Sequence, residues 1–284
     1  MPFVIDIDAA RRDYPQFAFI KALTPSEQKA AFHVRDNDGN DLCLKIISPD
    51  CDTDRIKREI DALVSISHPN LARLVEYTYS SRPSGQRHYI VEEFVDGHDL
   101  SAKLQTEQPW QLQDVAQFFA KLCDGLSELR KLELVHRDLK PSNIRVRADW
   151  TPVIIDFGLV RHLKLPDITQ TIDGARFGTP AYFAPEQCRG TKHDIEHRTD
   201  LFALGILMYQ SLTGAHPFLK PQMTVKDLYD GICDSQDHLN APIWVGLPSR
   251  WRLIGEKLLK KDRTDRPYDA TQVAAVLRKL GGIA

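Results

Sequence analysis

Cysteine is scarce in this chain, and none of its polar motifs depends on it. The 284 residues include five cysteines, an odd number, and no two of them are separated by two residues. This spacing excludes a C-x-x-C redox or zinc motif. Scattered cysteines of this kind are typical of reduced thiols in an intracellular protein, so we expect a cytoplasmic location.

A long apolar segment and a surplus of one charge are also missing. The longest apolar run, residues 202–209, is far shorter than a membrane-spanning helix requires. The first residues are acidic and lack the basic-then-apolar layout of a signal peptide. The 37 basic and 39 acidic residues nearly balance, so we expect no nucleic-acid partner and no membrane partner.

What the chain does contain is one polar stretch, residues 135–143, with the sequence Val-His-Arg-Asp-Leu-Lys-Pro-Ser-Asn. Pro141 keeps this stretch from forming a helix. A second acidic residue, Asp156, opens an Asp-Phe-Gly triplet after the strand-like run 153–155. Phosphoryl transfer needs these groups: a carboxylate that accepts a hydroxyl proton, carboxylate and amide oxygens that hold Mg²⁺, and an ammonium that offsets charge.

The pattern resembles the catalytic loop and metal-binding motif of the eukaryotic-type (Hanks-type) serine/threonine protein kinases. The resemblance implies an α+β, bilobal protein-kinase-like fold. A small antiparallel β-sheet lobe would carry one main helix, and the larger lobe would be mostly helical. We expect one kinase domain over residues 1–284, with an N-terminal extension at 1–13, an N-lobe at about 14–92, a hinge at 93–97 and a C-lobe at 98–284.

The resemblance also assigns roles to the polar residues of both motifs. Asp138 would be the catalytic base, and Lys140 would lie against the transferred phosphoryl group. Asn143 and Asp156 would hold the metal ions. A lysine at position 140 is typical of the serine/threonine class. ATP and Mg²⁺ are the expected cofactors, with Mn²⁺ as an alternative metal.

Hydrophobic periodicity predicts mainly strands before the polar stretch and helices after it. Strands are predicted at residues 17–23, 30–34, 42–47, 71–75 and 89–92, with a hairpin turn at 36–39. Helices are predicted at residues 54–67, 114–132, 198–207, 224–234, 249–259 and 269–280. The helix at 198–207 is apolar on most of its faces, which indicates burial inside a large lobe.

Lys45 lies inside the apolar run 42–47, where an unpaired ammonium would be costly. The resemblance makes Lys45 the lysine that binds ATP phosphates, paired with Glu59 of the predicted helix. A lysine that extends from an edge strand into solvent is the alternative. The residues that the resemblance assigns to the adenine pocket are Ala31, Cys43, Glu93, Val95 and Arg145.

Two features depart from the family pattern. The loop expected to cover the phosphates, residues 24–29, contains no glycine, although glycines allow backbone N–H groups to approach a phosphate closely. The side chains of Ser26 and Lys29 are candidates to replace those groups, and a solvated Lys29 is the alternative. Glu92 and Arg145 occupy slots of the nucleotide pocket that are usually apolar. A contact between these opposite charges would offset part of the cost of burying them.

Residues 178–186 resemble the end of a kinase activation segment. The resemblance implies that Thr179 contacts the catalytic base, that Glu186 pairs with Arg266, and that Asp200 braces the catalytic loop. A segment of this kind is a docking surface for peptide substrates. It therefore argues against a kinase that acts on small molecules.

The sequence also suggests a regulatory switch. Arg137 precedes the catalytic base and needs a counter-anion, which a phosphate on Thr169 or Thr171 would supply. Asp173 is an alternative, built-in anion. Either threonine could instead be an ordinary solvated loop residue.

The leading hypothesis is an ATP-dependent serine/threonine kinase that phosphorylates proteins and its own activation segment. A pseudokinase-like regulatory or scaffold module is the alternative, which the missing glycines favour. The complete set of active-site residues argues against it: Lys45, Glu59, Asp138, Asn143 and Asp156. The stretch 185–190 and the compact chain resemble bacterial family members, which suggests a stand-alone catalytic domain.

Overall fold

The computed structural model describes residues 2–26, 29–49, 66–83, 85–106, 109–156 and 179–282, apart from the side chains of Thr179 and Lys192. The described residues form two compact units, one ending at Val95 and the other beginning at Asp96. The first unit is built mainly from a β-sheet and the second mainly from helices, in agreement with the predicted fold class.

The described residues of the first unit form a short helix and a five-stranded antiparallel sheet in the order β1-β2-β3-β5-β4. Its elements are α1 (Ile7–Asp13), β1 (Ala18–Ala22), β2 (Lys29–Arg35), β3 (Asp41–Ile47), β4 (Leu74–Arg82) and β5 (Gly85–Glu93). The strand β5 lies between β3 and β4, so the two strands that carry Lys45 and Glu92 are neighbours.

Helix α1 covers one face of this sheet. It begins after Asp6, whose carboxylate accepts hydrogen bonds from the backbone N–H groups of Asp8 and Ala9 at 3.0 and 3.2 Å. Ala10 and Tyr14 are fully buried against alternate residues of the strands. The apolar residues that form this core include Phe32, Val34, Leu42, Leu44, Ile46 and Val91. Because side chains alternate across a strand, the residues between them lie on the opposite face.

The hairpin between β2 and β3 lies where the sequence predicts it. The Asp36 carboxylate accepts hydrogen bonds from the backbone N–H groups of Asp38 and Asn40 at 3.0 and 2.8 Å. Gly39 has a φ of 86°, which a glycine adopts without steric cost. The turn therefore fixes the register in which Ala31 lies opposite Lys45.

The second unit contains a small three-stranded sheet in the order β6-β7-β8 and a set of packed helices. Its strands are β6 (His98–Asp99), β7 (Ile144–Val146) and β8 (Pro152–Ile154). Its α-helices are α2 (Leu100–Thr106), α3 (Leu112–Lys131), α4 (Pro185–Cys188), α5 (His197–Thr213), α6 (Val225–Asp234), α7 (Pro242–Val245), α8 (Ser249–Leu258) and α9 (Ala270–Gly281). None of the described helices is both long enough and apolar enough to cross a bilayer.

Helix α5 lies at the centre of the second unit, which confirms the burial predicted for residues 198–207. Nearly all of its residues are buried. A Cβ atom at Gly205 would lie 2.8 Å from the Cβ of Leu258, so glycine allows α5 and α8 to approach closely. Helix α3 is joined by ion pairs to Asp269, the residue before α9, through Arg130, and to Arg278 of α9 through Asp124.

One predicted helix differs from the structure where it can be compared. Most of the helix predicted at 54–67 lies outside the described residues, and residues 66 and 67 are not helical. A turn follows, in which Asn70 N–H donates to His68 Nδ1 at 3.2 Å and Leu71 N–H donates to the His68 carbonyl at 3.1 Å. The turn ends at Leu71, the first residue that periodicity assigned to the next strand, and β4 begins at Leu74.

Candidate active site

The polar stretch converges on the carboxylate of Asp138. Its Oδ2 accepts hydrogen bonds from Lys140 Nζ at 2.9 Å and from Asn143 Nδ2 at 3.0 Å. Asn143 Nδ2 also donates to the Asp138 carbonyl at 2.8 Å. A single 3-10 turn starts at Pro141 and is closed by Asn143 N–H donating to the Lys140 carbonyl at 2.9 Å. The fixed φ of proline favours this turn, which brings Asn143 back to Asp138.

Asp200 of α5 holds the start of the same loop. The backbone N–H groups of His136 and Arg137 donate to its two carboxylate oxygens, each at 2.8 Å. Burial raises the pKa of Asp200, although the two N–H donors and the nearby charge of Arg137 favour its ionised form. The predicted brace between Asp200 and the catalytic loop is therefore confirmed.

Arg137 has a strained backbone, which hydrogen bonds with Asp200 and Gln187 hold in place. Its φ of 64° lies in the left-handed region, which costs a non-glycine residue about 1–3 kcal/mol. Its N–H donates to Asp200, and its carbonyl accepts a hydrogen bond from Gln187 Nε2 at 2.8 Å. Sequence reasoning missed Gln187. Its position directly after Glu186 was the only available signal.

His136 connects the loop to the end of β8. Its Nδ1 accepts a hydrogen bond from Asp138 N–H at 3.3 Å, and its Nε2 lies 3.1 Å from the Ile155 carbonyl. A neutral imidazole with its proton on Nε2 satisfies both contacts. The ring therefore fixes Asp138 relative to the residue that precedes Asp156.

Asn143 and Asp156 fit a divalent metal ion. Ile155 N–H donates to the Asn143 carbonyl at 2.9 Å, so Asp156 follows directly from a contact with Asn143. The side-chain hydrogen bonds of Asn143 described above use its nitrogen, so its amide oxygen faces elsewhere. An amide oxygen and a carboxylate are ligands that Mg²⁺ accepts. Asp156 has a φ of 67°, a strained conformation that is common at functional sites.

Glu186 and Arg266 form the buried ion pair that the sequence predicts. Arg266 donates to both carboxylate oxygens of Glu186 at 2.8 Å, and Thr199 Oγ1 donates to one of them at 2.8 Å. Burial by itself raises the pKa of Glu186, but the hydrogen bonds and charge of Arg266 outweigh this effect and hold the pKa below its usual range. This pair fixes α4, the helix that carries Gln187.

In the first unit, several predicted nucleotide residues share the sheet face opposite α1. Lys29 and Ala31 are alternate residues of β2, and Ala31 lies directly opposite Lys45 of β3. Cys43, two residues before Lys45, lies directly opposite Glu92 of β5. Directly opposed residues project to the same face of an antiparallel sheet, so all five belong to one surface.

Lys45 forms a buried ion pair with Glu92. The Lys45 ammonium donates to Glu92 Oε2, and the side chains are only 7% and 3% exposed. The alternative of a lysine that extends into solvent is therefore wrong. Glu59, the partner that the family resemblance implies, lies outside the described residues.

Arg145 has a partner within the second unit. Arg145 lies directly opposite Asp99 in the β6–β7 pair, and its Nη1 donates to the Asp99 carboxylate at 2.7 Å. Its Nη2 donates to the Gly97 carbonyl. Glu92 and Arg145 thus each have a partner of opposite charge within their own unit. Neither the Lys45–Glu92 pair nor the Arg145–Asp99 pair was predicted, because both depend on strand register.

The remaining predicted site residues are only partly described. Ser26 N–H donates to the Lys29 carbonyl at 2.9 Å, and Lys29 is the first residue of β2 rather than part of the loop. Glu93 is the last residue of β5, so the strand extends one residue into the predicted hinge, and Val95 is buried. Thr179 begins a 3-10 turn. Thr169 and Thr171 lie outside the described residues.

Comparison with known proteins identifies the class of this fold and site. Residues 29–276 match the family model described as the protein kinase domain. The match covers most of the chain, so the chain belongs to the protein kinase family. Use of ATP with a divalent metal ion, protein substrates and autophosphorylation are general properties of this family.

Bacterial serine/threonine kinases are among the curated relatives of this chain. The chain is 31% identical over 185 residues to the serine/threonine-protein kinase PknB of Mycobacterium leprae, which covers 63% of this chain and 29% of the relative. It is 29% identical over 244 residues to the probable serine/threonine-protein kinase PknB of Bifidobacterium longum. This match covers 82% of this chain and 35% of the relative. The chain therefore spans about three-tenths of the length of the curated relatives it matches.

Proposed function

We propose that this chain is an ATP-dependent serine/threonine protein kinase that transfers the γ-phosphate to a protein hydroxyl. The observation that carries the proposal is the convergence of Lys140 and Asn143 on one oxygen of Asp138. In this proposal, residues 14–92 act as the N-lobe, 93–97 as the hinge and 98–284 as the C-lobe.

Asp138 is the proposed catalytic base. Side chains of its own loop hold its carboxylate, and the His136 ring accepts a hydrogen bond from its backbone N–H. It therefore does not need to reorganise when a substrate hydroxyl arrives. As the hydroxyl oxygen attacks, Asp138 accepts its proton. Lys140, which already donates to Asp138, lies where its ammonium also offsets negative charge on the transferred phosphoryl group.

Asn143 and Asp156 are the proposed ligands of Mg²⁺. When bound there, the metal ion supplies positive charge that stabilises the phosphates of ATP during transfer. The contribution of the chain is to fix the ligands. Asp138 holds the amide of Asn143 through its nitrogen, and the Ile155–Asn143 hydrogen bond holds the segment that leads to Asp156.

The nucleotide contacts are proposed on the family resemblance. Lys45 contacts the phosphates, with Glu59 as a proposed partner, and Thr179 contacts the catalytic base. Ser26 and Lys29 take the place of the missing glycine backbone. The adenine pocket is proposed to consist of Ala31, Cys43, Glu93, Val95 and Arg145.

Phosphosite mapping tests the proposal. The purified chain is incubated with γ-labelled ATP and Mg²⁺, with and without a general protein substrate, and modified residues are identified by mass spectrometry. We expect labelled serine or threonine on the substrate and in residues 159–179 of the chain. Nucleotide binding without any transfer would contradict the proposal and indicate a pseudokinase. Label on tyrosine alone would contradict the serine/threonine assignment.

A further inference from the structure

We propose that Glu92 is a positioning residue for Lys45. Its carboxylate supplies the buried counter-charge that holds the Lys45 ammonium where it contacts the nucleotide phosphates. This inference rests on the proposed function and adds a residue to it. Glu92 occupies a slot that the family pattern usually fills with an apolar residue or threonine, so nothing in the resemblance assigns it this role.

The sheet register places the two side chains together. Cys43 lies directly opposite Glu92, and Lys45 lies directly opposite Ile90, so Lys45 and Glu92 are diagonal neighbours on one face. Their strands, β3 and β5, are joined by backbone hydrogen bonds. Both partners are therefore fixed to the same rigid element. The register of the sheet by itself therefore places the two side chains within reach of each other.

Burial makes this pairing important. The side chains of Lys45 and Glu92 are 7% and 3% exposed, so water cannot replace either partner. Removing one partner of a buried ion pair leaves an uncompensated charge, which is strongly unfavourable. Without the Glu92 carboxylate, the Lys45 ammonium would lose the contact that holds it at this point of the sheet face. Its contact with a phosphate would then be weaker.

One contact to Glu92 does not prevent Lys45 from binding phosphate. An ammonium has three donor positions, and the described contact to Glu92 occupies one of them. Glu92 also differs from Glu59, because Glu92 lies on the strand next to that of Lys45. Glu59 belongs to a separate segment of the chain. The inference therefore predicts that Lys45 tolerates the loss of the Glu59 carboxylate better than the loss of the Glu92 carboxylate.

Steady-state kinetics of the full chain test this inference. We expect Glu92→Gln to raise the KM for ATP about tenfold, which corresponds to the loss of one charge-assisted hydrogen bond, and to leave kcat within about threefold. Glu92→Asp keeps the charge, so its KM should lie closer to that of the wild type. Glu59→Gln should raise the KM less than Glu92→Gln does.

Glu76→Gln is the matched control. Glu76 lies on β4 of the same sheet, but its carboxylate accepts hydrogen bonds from the hydroxyls of Tyr89 and Thr78, each at 2.7 Å. Its neutralisation should leave the KM for ATP unchanged. Urea unfolding of each variant checks that the compared proteins are folded. If Glu92→Gln does not fold, Glu92→Asp carries the test, and its KM should still exceed that of the wild type.

The outcomes separate this inference from the proposed function. A wild-type chain that transfers phosphate, with a KM for ATP that is unchanged or lower in Glu92→Gln, would overturn the inference alone. A lower KM would mean that Glu92 competes with ATP for Lys45. A larger effect of Glu59→Gln would also overturn it. A wild-type chain that neither binds ATP nor transfers phosphate would overturn the proposed function and this inference together.

Discussion

Replacing Arg266 with methionine should strongly destabilise the second unit. The guanidinium donates to both carboxylate oxygens of Glu186 and to the backbone carbonyls of Lys260, Lys261 and Arg198, at 2.8–3.2 Å. These contacts use its Nε and both Nη atoms, and its side chain is 0% exposed. Methionine would leave the Glu186 carboxylate buried without its counter-charge. Loss of one partner of a buried pair costs about 3–5 kcal/mol.

Urea unfolding followed by circular dichroism measures this cost. Arg278→Met is the matched control, because Arg278 also pairs with a carboxylate but its side chain is 38% exposed. Exposed pairs contribute at most about 1 kcal/mol, so this control should change the unfolding free energy little. The double variant Glu186→Gln/Arg266→Met removes both charges. It should lower the free energy of unfolding by less than the sum of the effects of the two single variants. The reasoning would be refuted if Arg266→Met lowered the free energy of unfolding no more than Arg278→Met does.

Three further predictions concern pH, backbone conformation and regulation. Burial lowers the pKa of His216 from 6.5 to about 3, and its Nδ1 accepts two backbone N–H groups at 3.1 Å. Below pH 6.5, His216 therefore binds a proton in the unfolded chain while it stays neutral in the folded chain. The free energy of unfolding then falls on acidification by up to about 1.4 kcal/mol per pH unit. His216→Asn should reduce this slope in urea titrations at pH 7 to 5, whereas parallel curves would contradict the assignment. Gly97 has a φ of 129°, and a Cβ there would lie 2.2 Å from the Val146 carbonyl oxygen. Gly97→Ala should therefore lower the free energy of unfolding by at least about 2 kcal/mol. An unchanged urea midpoint would exclude this steric requirement. If activation-segment phosphorylation switches the enzyme on, Thr169→Ala/Thr171→Ala should lower activity on an added substrate at least about tenfold, and full activity would rule out the switch.

The sequence predicts the catalytic loop well because its contacts are local. Asp138, Lys140 and Asn143 lie within six residues of one another, and Pro141 sets the turn between them. The hairpin at residues 36–39 is predictable for the same reason, since Asp36 and Gly39 specify the turn by themselves. Local chemistry was sufficient in both places.

The ion pairs of Lys45 and Arg145 could not be read from the sequence in this way. Lys45 and Glu92 are 47 positions apart, and Arg145 and Asp99 are 46 apart. Each contact depends on which strands are neighbours and on their register, and a shift of one residue would send the side chains to opposite faces. The Glu186–Arg266 pair spans 80 positions and was predictable only through the family resemblance.

The most direct test of the proposed mechanism is the phosphotransfer rate of Asp138→Asn at saturating ATP, with ATP affinity measured in parallel. Asparagine keeps the size of the side chain but cannot accept the hydroxyl proton. A positioned general base contributes about 10²–10⁴-fold to the rate, so kcat should fall at least about 100-fold while ATP affinity stays within about threefold. A rate near that of the wild type would contradict the central claim that Asp138 is the catalytic base.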